Sequence, residues 1–319
     1  MTNLIQRTLT GAVYIATLIM AICVHPLLFA VVFSLITGLL VYEFYALTKY
    51  EGLKWQRFMG AAGGAYLFVA TFLYAGAYTG GEIFLAYIIL LAVILTSGLY
   101  IKNTNQVENT GKFLFGQLYC AGGFSLLNFI SFNTLGSYNH FPVLMLFIFI
   151  WLNDTGAYLI GSWIGKNRLF PRISPKKSWE GFWGGLGVTV VIAALIFTYL
   201  GHHERSDAIQ GFIDCFVPRN DGTISGNDGA ISGNDWAISS NDWAITCYTK
   251  LILWIVFAVI TVVAATFGDL FESLIKRTYN AKDSGKMLPG HGGMLDRFDS
   301  ALFVAPAVYL FFEILKLFN

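Results

Sequence analysis

Long apolar runs constrain the fold of this chain more than any other feature of its sequence. They recur along its whole length, at about 20 residues each, which is what a helix needs to cross the hydrocarbon core of a bilayer. Charged residues make up only 12% of the chain, about half of the share usual in soluble proteins. The short alternating segments of a membrane β-barrel are not seen. The sequence therefore predicts an all-α polytopic membrane protein.

The apolar runs predict nine transmembrane helices, with a turn signal at His25-Pro26 between the first two. The predicted spans are 8–24, 27–47, 59–78, 83–100, 113–133, 142–164, 182–200, 251–271 and 301–318. The first run is not followed by an A-x-A cleavage site, so we interpret it as a membrane helix and not as a signal peptide. This divides the chain into four regions: N-terminal membrane helices (1–133), a middle membrane region (134–200), an extracytoplasmic loop (201–250) and a C-terminal membrane region (251–319).

The basic residues predict the orientation of the chain. With a cytoplasmic N-terminus, 16 of the 20 Lys and Arg residues fall on the cytoplasmic side, as the positive-inside rule requires. The basic segments 165–181 and 272–300 then share the cytoplasmic side, and the large polar loop 201–250 lies outside.

The outer loop contains a seven-residue tandem repeat. Its copies are ISGNDGA, ISGNDWA and ISSNDWA over 224–244, preceded by the degenerate VPRNDGT at 217–223. Asn, Asp and Gly favour turns, and the units lack the apolar positions of a coiled coil. We favour a tandem expansion tolerated in an exposed loop, while a small β-solenoid or a calcium-binding array stays open. Cys215 and Cys247 flank the repeat and could pair, which the sequence does not decide.

The most polar stretch of the C-terminal region is 273–299, SLIKRTYNAKDSGKMLPGHGGMLDRFD. It holds five basic residues, three aspartates, one histidine and four glycines between two apolar runs. Placing so much charge beside a membrane is costly unless a charged ligand or metal compensates it. The stretch therefore predicts a site for a polyanionic substrate that is handled with a divalent ion.

Two aspartates at the membrane-proximal ends of the flanking helices are the first metal candidates. Asp269 precedes the charged stretch and Asp296 lies near its end, so both can reach one ion. Mg²⁺ is commonly held by one or two carboxylates together with substrate phosphates and water. The alternative is that these aspartates pair with Lys276 or Arg297. Metal binding and structural pairing are equally open for two further candidates, Asp283 and Asp299.

The loop between these aspartates has features of a phosphate-binding loop. Glycines 290, 292 and 293 let the backbone approach a ligand and expose N–H groups. His291 is a candidate for a phosphate or base contact, with metal binding and proton transfer as alternatives.

A second polar segment, 151–181, reads WLNDTGAYLIGSWIGKNRLFPRISPKKSWEG. Asp154 lies inside an apolar run, where an ionisable residue is a functional candidate. Ser174 followed by Pro175 predicts a helix start that would attract phosphate, reinforced by Lys176 and Lys177. The alternative is an ordinary positive-inside loop. The small-residue patterns at Gly156, Gly161 and Gly165, and at Gly181, Gly184, Gly185 and Gly187, predict close helix packing.

Residues 273–299 resemble the signature of the phosphatidate cytidylyltransferases, also called CDP-diacylglycerol synthases. The shared pattern is S-x-hydrophobic-K-R, K-D-x-small and hydrophobic-P-x-H-G-G-hydrophobic-x-D-R-hydrophobic-D, and this chain matches it throughout. The upstream NDTGAY…SPKKSWEG is similar to the second polar stretch of that family. Together with the hydropathy profile, the resemblance covers most of the chain, although the repeat of the outer loop departs from it.

The resemblance implies a transferase that makes CDP-diacylglycerol and pyrophosphate from CTP and phosphatidic acid in phospholipid biosynthesis. It further implies Mg²⁺, with a monovalent cation such as K⁺ beside it, a dimer, and a bacterial-type inner membrane with a cytoplasmic site. By this resemblance the metal ligands would be Asp269 and Asp296, supported by Asp299 and Asp283, and Asp154 is a base candidate. Phosphate and headgroup contacts fall to Ser174, Lys176, Lys177, Lys276, Arg277, Lys282 and Arg297.

Two other functions are compatible with parts of the sequence. A transporter would also contain intramembrane carboxylates, but its charges would cluster near the midplane of the membrane and not in two loops on one side. A lipid kinase that uses CTP would transfer the γ-phosphoryl group and release CDP. Nucleic-acid binding is not predicted.

Overall fold

The computed structural model describes residues 2–100, 105–132, 136–202, 240–285 and 292–317. Its helices are α1 (Thr2–Cys23), α2 (Pro26–Leu47), α3 (Lys54–Ala75), α4 (Ile83–Gly98), α5 (Gln106–Gly116), α6 (Gly123–Ser125), α7 (Leu127–Ser131), α8 (Phe141–Ile164), α9 (Trp179–His202), α10 (Ser240–Thr278) and α11 (Leu295–Leu317). A π-helical segment, Gln117–Gly122, joins α5 to α6, and a hairpin of β1 (Arg168–Phe170) and β2 (Ser174–Ser178) joins α8 to α9. The predicted all-α polytopic class is confirmed, with this hairpin as a small addition.

The described residues contain seven helices long and apolar enough to cross a membrane, and two shorter apolar helices at Thr10–Cys23 and Ile83–Gly98. These segments overlap the nine predicted runs, while the number of crossings and the orientation stay predictions.

The helix bounds differ from the predicted ones near the polar stretch. Because α10 continues to Thr278 and α11 begins at Leu295, Asp269 and Asp296 both lie within helices and not in the connection between them.

A cluster of buried aromatic rings fixes the start of α11 against the N-terminal helices. Phe298 is fully buried and its ring centroid lies 5.3 Å from that of Phe124 and 5.7 Å from that of Tyr14. Phe124 in turn stacks on Phe33, with centroids 5.5 Å apart. Rings at these separations pack favourably beyond the area they bury. The polar residues beside Phe298 are therefore carried on a helix end that the core holds in place.

Helices α8 and α9 meet through glycines, as their spacing predicts. A methyl group added at Gly156 would lie 3.1 Å from Gly185 Cα, and one added at Gly161 would lie 3.2 Å from Gly181 Cα. Small residues allow such close approach between membrane helices. The contact places the polar end of α8 directly beside the first turns of α9.

The prediction of a helix start at Ser174 is wrong. Residues 174–178 form β2, which pairs antiparallel with β1, and α9 begins only at Trp179. The connection between α8 and α9 offers β2 a partner strand, and Pro175 is tolerated because a two-stranded sheet has only edge strands. Glu180 completes the turn, since its carboxylate accepts from the backbone N–H of Asn167 at 3.1 Å and from its side-chain Nδ2 at 2.7 Å.

Several predictions concern residues outside the described part of the chain. These are the bulk of the 217–244 repeat, Cys215 with its pairing to Cys247, and His291. Helix α10 begins at Ser240, so residues 240–250, which include the end of the last repeat copy and of the predicted loop, are helical.

Candidate active site

Asp296 holds together the two described ends of the glycine-rich loop. Its Oδ2 accepts hydrogen bonds from the backbone N–H groups of Ser284, at 3.0 Å, and Gly293, at 2.9 Å. Its own N–H donates to Ser284 Oγ at 3.2 Å. The N–H of Gly293 is thus directed to a side chain of the protein, whereas the sequence predicted that such groups would meet a phosphate. Asp296 therefore joins Ser284 to Gly293, whatever else it binds.

Lys276 neutralises two carboxylates of this region. Its ammonium group donates to Asp296 Oδ1 at 2.8 Å and forms an ion pair with Glu272, whose side chain is fully buried. Buried charges need such partners because desolvation otherwise penalises them heavily. The pairing of Asp296 with Lys276, one of the two alternatives left by the sequence, is therefore present in the structure. The predicted role of Lys276 as a phosphate contact stays a prediction.

Glu43 is a member of this cluster that the sequence analysis missed. It lies on α2 and is only 4% exposed, and its Oε2 accepts from the backbone N–H of Leu295 at 2.8 Å. Ser284 Oγ also donates to Oε2, at 3.4 Å. The sequence did contain a signal for Glu43, because it is the lone carboxylate in the predicted span 27–47. An ionisable residue inside an apolar span is a functional candidate, and the same rule selected Asp154. The N-terminal helices therefore contribute directly to the site.

A cavity of about 530 Å³ opens on the other side of the site, between α8, α9, α10 and the hairpin. The ammonium group of Lys177 lies 2.5 Å from Asp269 Oδ2 at its edge. Its polar lining includes Asn153, Asp154, Ser162, Arg168, Lys176, Lys177, Ser178, Thr266 and Asp269. Asn153 is 4% exposed, and its Oδ1 has no hydrogen-bond partner among the described residues. The cavity thus offers acidic, basic and amide groups to one ligand.

Three carboxylates converge near this cavity. Asp154, Asp269 and Asp299 lie close enough to repel one another, with Lys177 and Lys276 as the nearby cations. Carboxylate oxygens suit a hard divalent cation, and two of these carboxylates, Asp269 and Asp299, are among the predicted metal ligands. Among the described residues, no three acidic, His or Cys side chains surround a single ion position. A bound ion would therefore take its remaining ligands from substrate phosphates and water.

The other predicted site residues lie around this centre at different depths. Arg277 is exposed and donates from Nε to the carbonyl of Ile173 at 3.4 Å, which connects the end of α10 to the hairpin. Lys176 is exposed at the cavity and Ser174 is half-buried at the start of β2. Exposed positions beside the cluster are taken by Lys282, Asp283 and Arg297. Among the predicted site residues, the structure pairs Lys177 with Asp269 and Lys276 with Asp296. Asp154 lines the same cavity as Lys177 and Asp269.

In this all-α membrane protein, carboxylates and a basic hairpin surround one cavity. A protein of this class is suited to phosphate-bearing substrates at a membrane surface. The family is shown by comparison with known proteins: the model of the cytidylyltransferase family matches residues 5–315. The chain therefore belongs to the cytidylyltransferase family, which confirms the resemblance and the prediction of a nucleotidyltransferase.

Relatives named phosphatidate cytidylyltransferase align with half of the chain or more. The protein from Bacillus subtilis (strain 168) is 30% identical, over 97% of each chain. The Haemophilus influenzae protein is 28% identical over 97% of this chain and 99% of its own length. The Thermotoga maritima protein is 36% identical over 166 residues, which are 52% of this chain and 47% of the relative.

Proposed function

We propose that this protein transfers the cytidylyl group of CTP to phosphatidic acid and forms CDP-diacylglycerol and pyrophosphate. The observation that carries the proposal is the family match over residues 5–315, together with relatives of this name that align end to end. A phosphate oxygen of phosphatidic acid attacks the α-phosphorus of CTP. The bond from that phosphorus to the bridging oxygen of the β-phosphate breaks, and pyrophosphate leaves with the electron pair.

The residues around the cavity supply positioning and charge for this reaction, which needs little covalent chemistry from a protein. Lys177, at the edge of the cavity, would hold a phosphate, and its ion pair with Asp269 would open when the ligand binds. Lys176 and Arg168 line the same cavity and would contact the triphosphate or the lipid phosphate. Asp154 would act as a base candidate or orient a neighbouring ligand.

Mg²⁺ is the proposed cofactor, with a monovalent cation such as K⁺ beside it. Asp269 and Asp296 would hold the ion, with Asp299 and Asp283 in support. A cation on Asp296 Oδ1 would compete with the ammonium group of Lys276, which lies 2.8 Å from that oxygen. When bound, Mg²⁺ supplies charge neutralisation for the triphosphate and the departing pyrophosphate.

The proposed location is a bacterial-type inner membrane, with the site facing the cytoplasm. The acyl chains of the lipid would remain among the apolar helices while CTP arrives from the aqueous side. A homodimer is proposed from the resemblance alone.

An assay with membranes and labelled CTP tests this function. Membranes that contain the protein should convert CTP and phosphatidic acid into CDP-diacylglycerol and pyrophosphate when Mg²⁺ is present, and chelation should stop the conversion. Release of CDP would instead identify a lipid kinase. Vesicle transport without CTP turnover would exclude the enzyme. A matched control is Glu313→Gln, because Glu313 is an exposed partner of Lys316 at the far end of α11.

A further inference from the structure

We propose that Glu43 is a positioning residue that holds Asp296 and the loop next to it in the geometry needed for turnover. The proposal rests on the function proposed above and concerns a residue on α2, far from the charged stretch in sequence. Glu43 lies 241 positions from Ser284 and 252 from Leu295, and its side chain contacts both.

The first argument is that Glu43 caps α11 from another helix. The first backbone N–H groups of a helix have no partner within that helix, and negative charge is favourable beside them. Glu43 Oε2 accepts the N–H of Leu295, the first residue of α11, at 2.8 Å. Asp296 is the next residue, so the cap fixes the helix turn from which its carboxylate extends.

The second argument is a short chain of hydrogen bonds from Glu43 to Asp296. Ser284 Oγ donates to Glu43 and accepts the N–H of Asp296 at 3.2 Å. The backbone N–H of Ser284 donates to Asp296 Oδ2 at 3.0 Å. Ser284 is 6% exposed and Glu43 4%, so water does not readily replace either partner. A change at Glu43 is therefore transmitted to Asp296 through one serine.

The third argument comes from the glycines that surround Glu43. A methyl group added at Gly285 would lie 2.5 Å from Glu43 Oε1, and one added at Gly293 would lie 2.6 Å from Oε2. Both distances are too short for a side chain, so these two glycines make room for the carboxylate. The space that the Glu43 carboxylate needs explains why glycine occurs at these two positions. A contact with a phosphate is not required to explain it.

Glu43→Leu and Glu43→Gln test the proposal as a pair. Leu keeps most of the bulk but accepts no hydrogen bond, whereas Gln keeps one acceptor for Leu295. We expect the Leu variant to lose about 10- to 100-fold in kcat/KM, the usual effect of removing a residue that orients a ligand. It should also need more Mg²⁺ for half-maximal activity. The Gln variant should retain most of the activity and Glu313→Gln all of it. Equal activity of the Leu and Gln variants would overturn the proposal.

Ser284→Ala, alone and combined with Glu43→Leu, provides a second test. If Glu43 acts partly through Ser284, the double variant Glu43→Leu/Ser284→Ala should lose less in kcat/KM than the product of the two single losses. A fully multiplicative loss would contradict the proposed path.

A measurement without turnover separates this proposal from the proposed function. The N–H groups of Leu295 and Asp296 should exchange with deuterium faster in Glu43→Leu than in the unmodified protein in detergent. Unchanged exchange would overturn the positioning role even if the protein makes CDP-diacylglycerol. If exchange is faster but the protein makes no CDP-diacylglycerol, the positioning role of Glu43 is supported and only the proposed reaction is excluded.

Discussion

Asp269 and Asp296 look alike in the sequence but have opposite environments in the structure. Asp296 is held by an ammonium group and two backbone N–H groups within 3.0 Å. Asp269 has an ion pair with Lys177 at the edge of a cavity and a long contact of 3.4 Å from Ser273 Oγ. Asp296 is thus fixed by several contacts at once, whereas the main contact of Asp269 is one ion pair at the edge of a cavity.

This difference separates a rigid half of the site from an adaptable one. Electrostatic catalysis works best with groups that are already oriented before the substrate binds. The interlocked contacts of Asp296, Ser284 and Glu43 provide that order on one side. On the other side, the hairpin supplies Lys177 to a cavity that has room for a ligand.

The largest effect is expected at the two aspartates. Asp269→Asn should lower kcat/KM by about 100- to 1000-fold, the range seen when one group that stabilises the charge of the transition state is lost, with little change in thermal unfolding. Asp296→Asn should lower both activity and the unfolding temperature, because it weakens the contacts of the loop. Activity assays and thermal unfolding in detergent measure the two properties. Equal loss of stability in both variants would contradict the difference between the environments of Asp269 and Asp296.

The second effect tests the charge balance on the rigid side. Lys276→Met leaves the fully buried Glu272 without its cation and should lower the free energy of unfolding by about 3 to 5 kcal/mol, the cost of breaking a buried ion pair. Denaturant unfolding in detergent measures the loss. Adding Glu272→Gln should recover part of that stability, because the uncompensated charge is then gone. No recovery would mean that Lys276 stabilises the fold by other contacts.

The smallest effect concerns the adaptable side. A methyl group at Gly185 would lie 2.6 Å from Asn153 Oδ1, so Gly185→Ala should cost about 1 to 3 kcal/mol of stability, as overpacking usually does. Gly187→Ala is the matched control, since its added methyl group meets nothing within 4 Å, and Ala favours helix. Unfolding measured side by side should rank the two variants. Equal stability would show that the contact between α8 and α9 accommodates the added methyl group at little cost in free energy of unfolding.

The sequence predicted the parts of this structure that depend on composition and local spacing. Apolar runs located the helices. The predicted site residues Asp154, Lys177 and Asp269 line one cavity, while their roles stay predictions. The contact of Glu43 with Leu295 was out of reach, since it joins residues 252 positions apart. Ser174 was misassigned because its cap pattern is local, whereas the strand depends on pairing with residues 168–170.

The glycine contact between α8 and α9 also has a genetic consequence. Gly185 packs directly against Asn153, a residue that lines the cavity. A mutation selected only for its effect on helix packing would therefore alter the cavity at the same moment. In a screen for loss of function, alleles at such glycines should be recovered beside alleles of the charged residues, with full-length protein still present in the membrane.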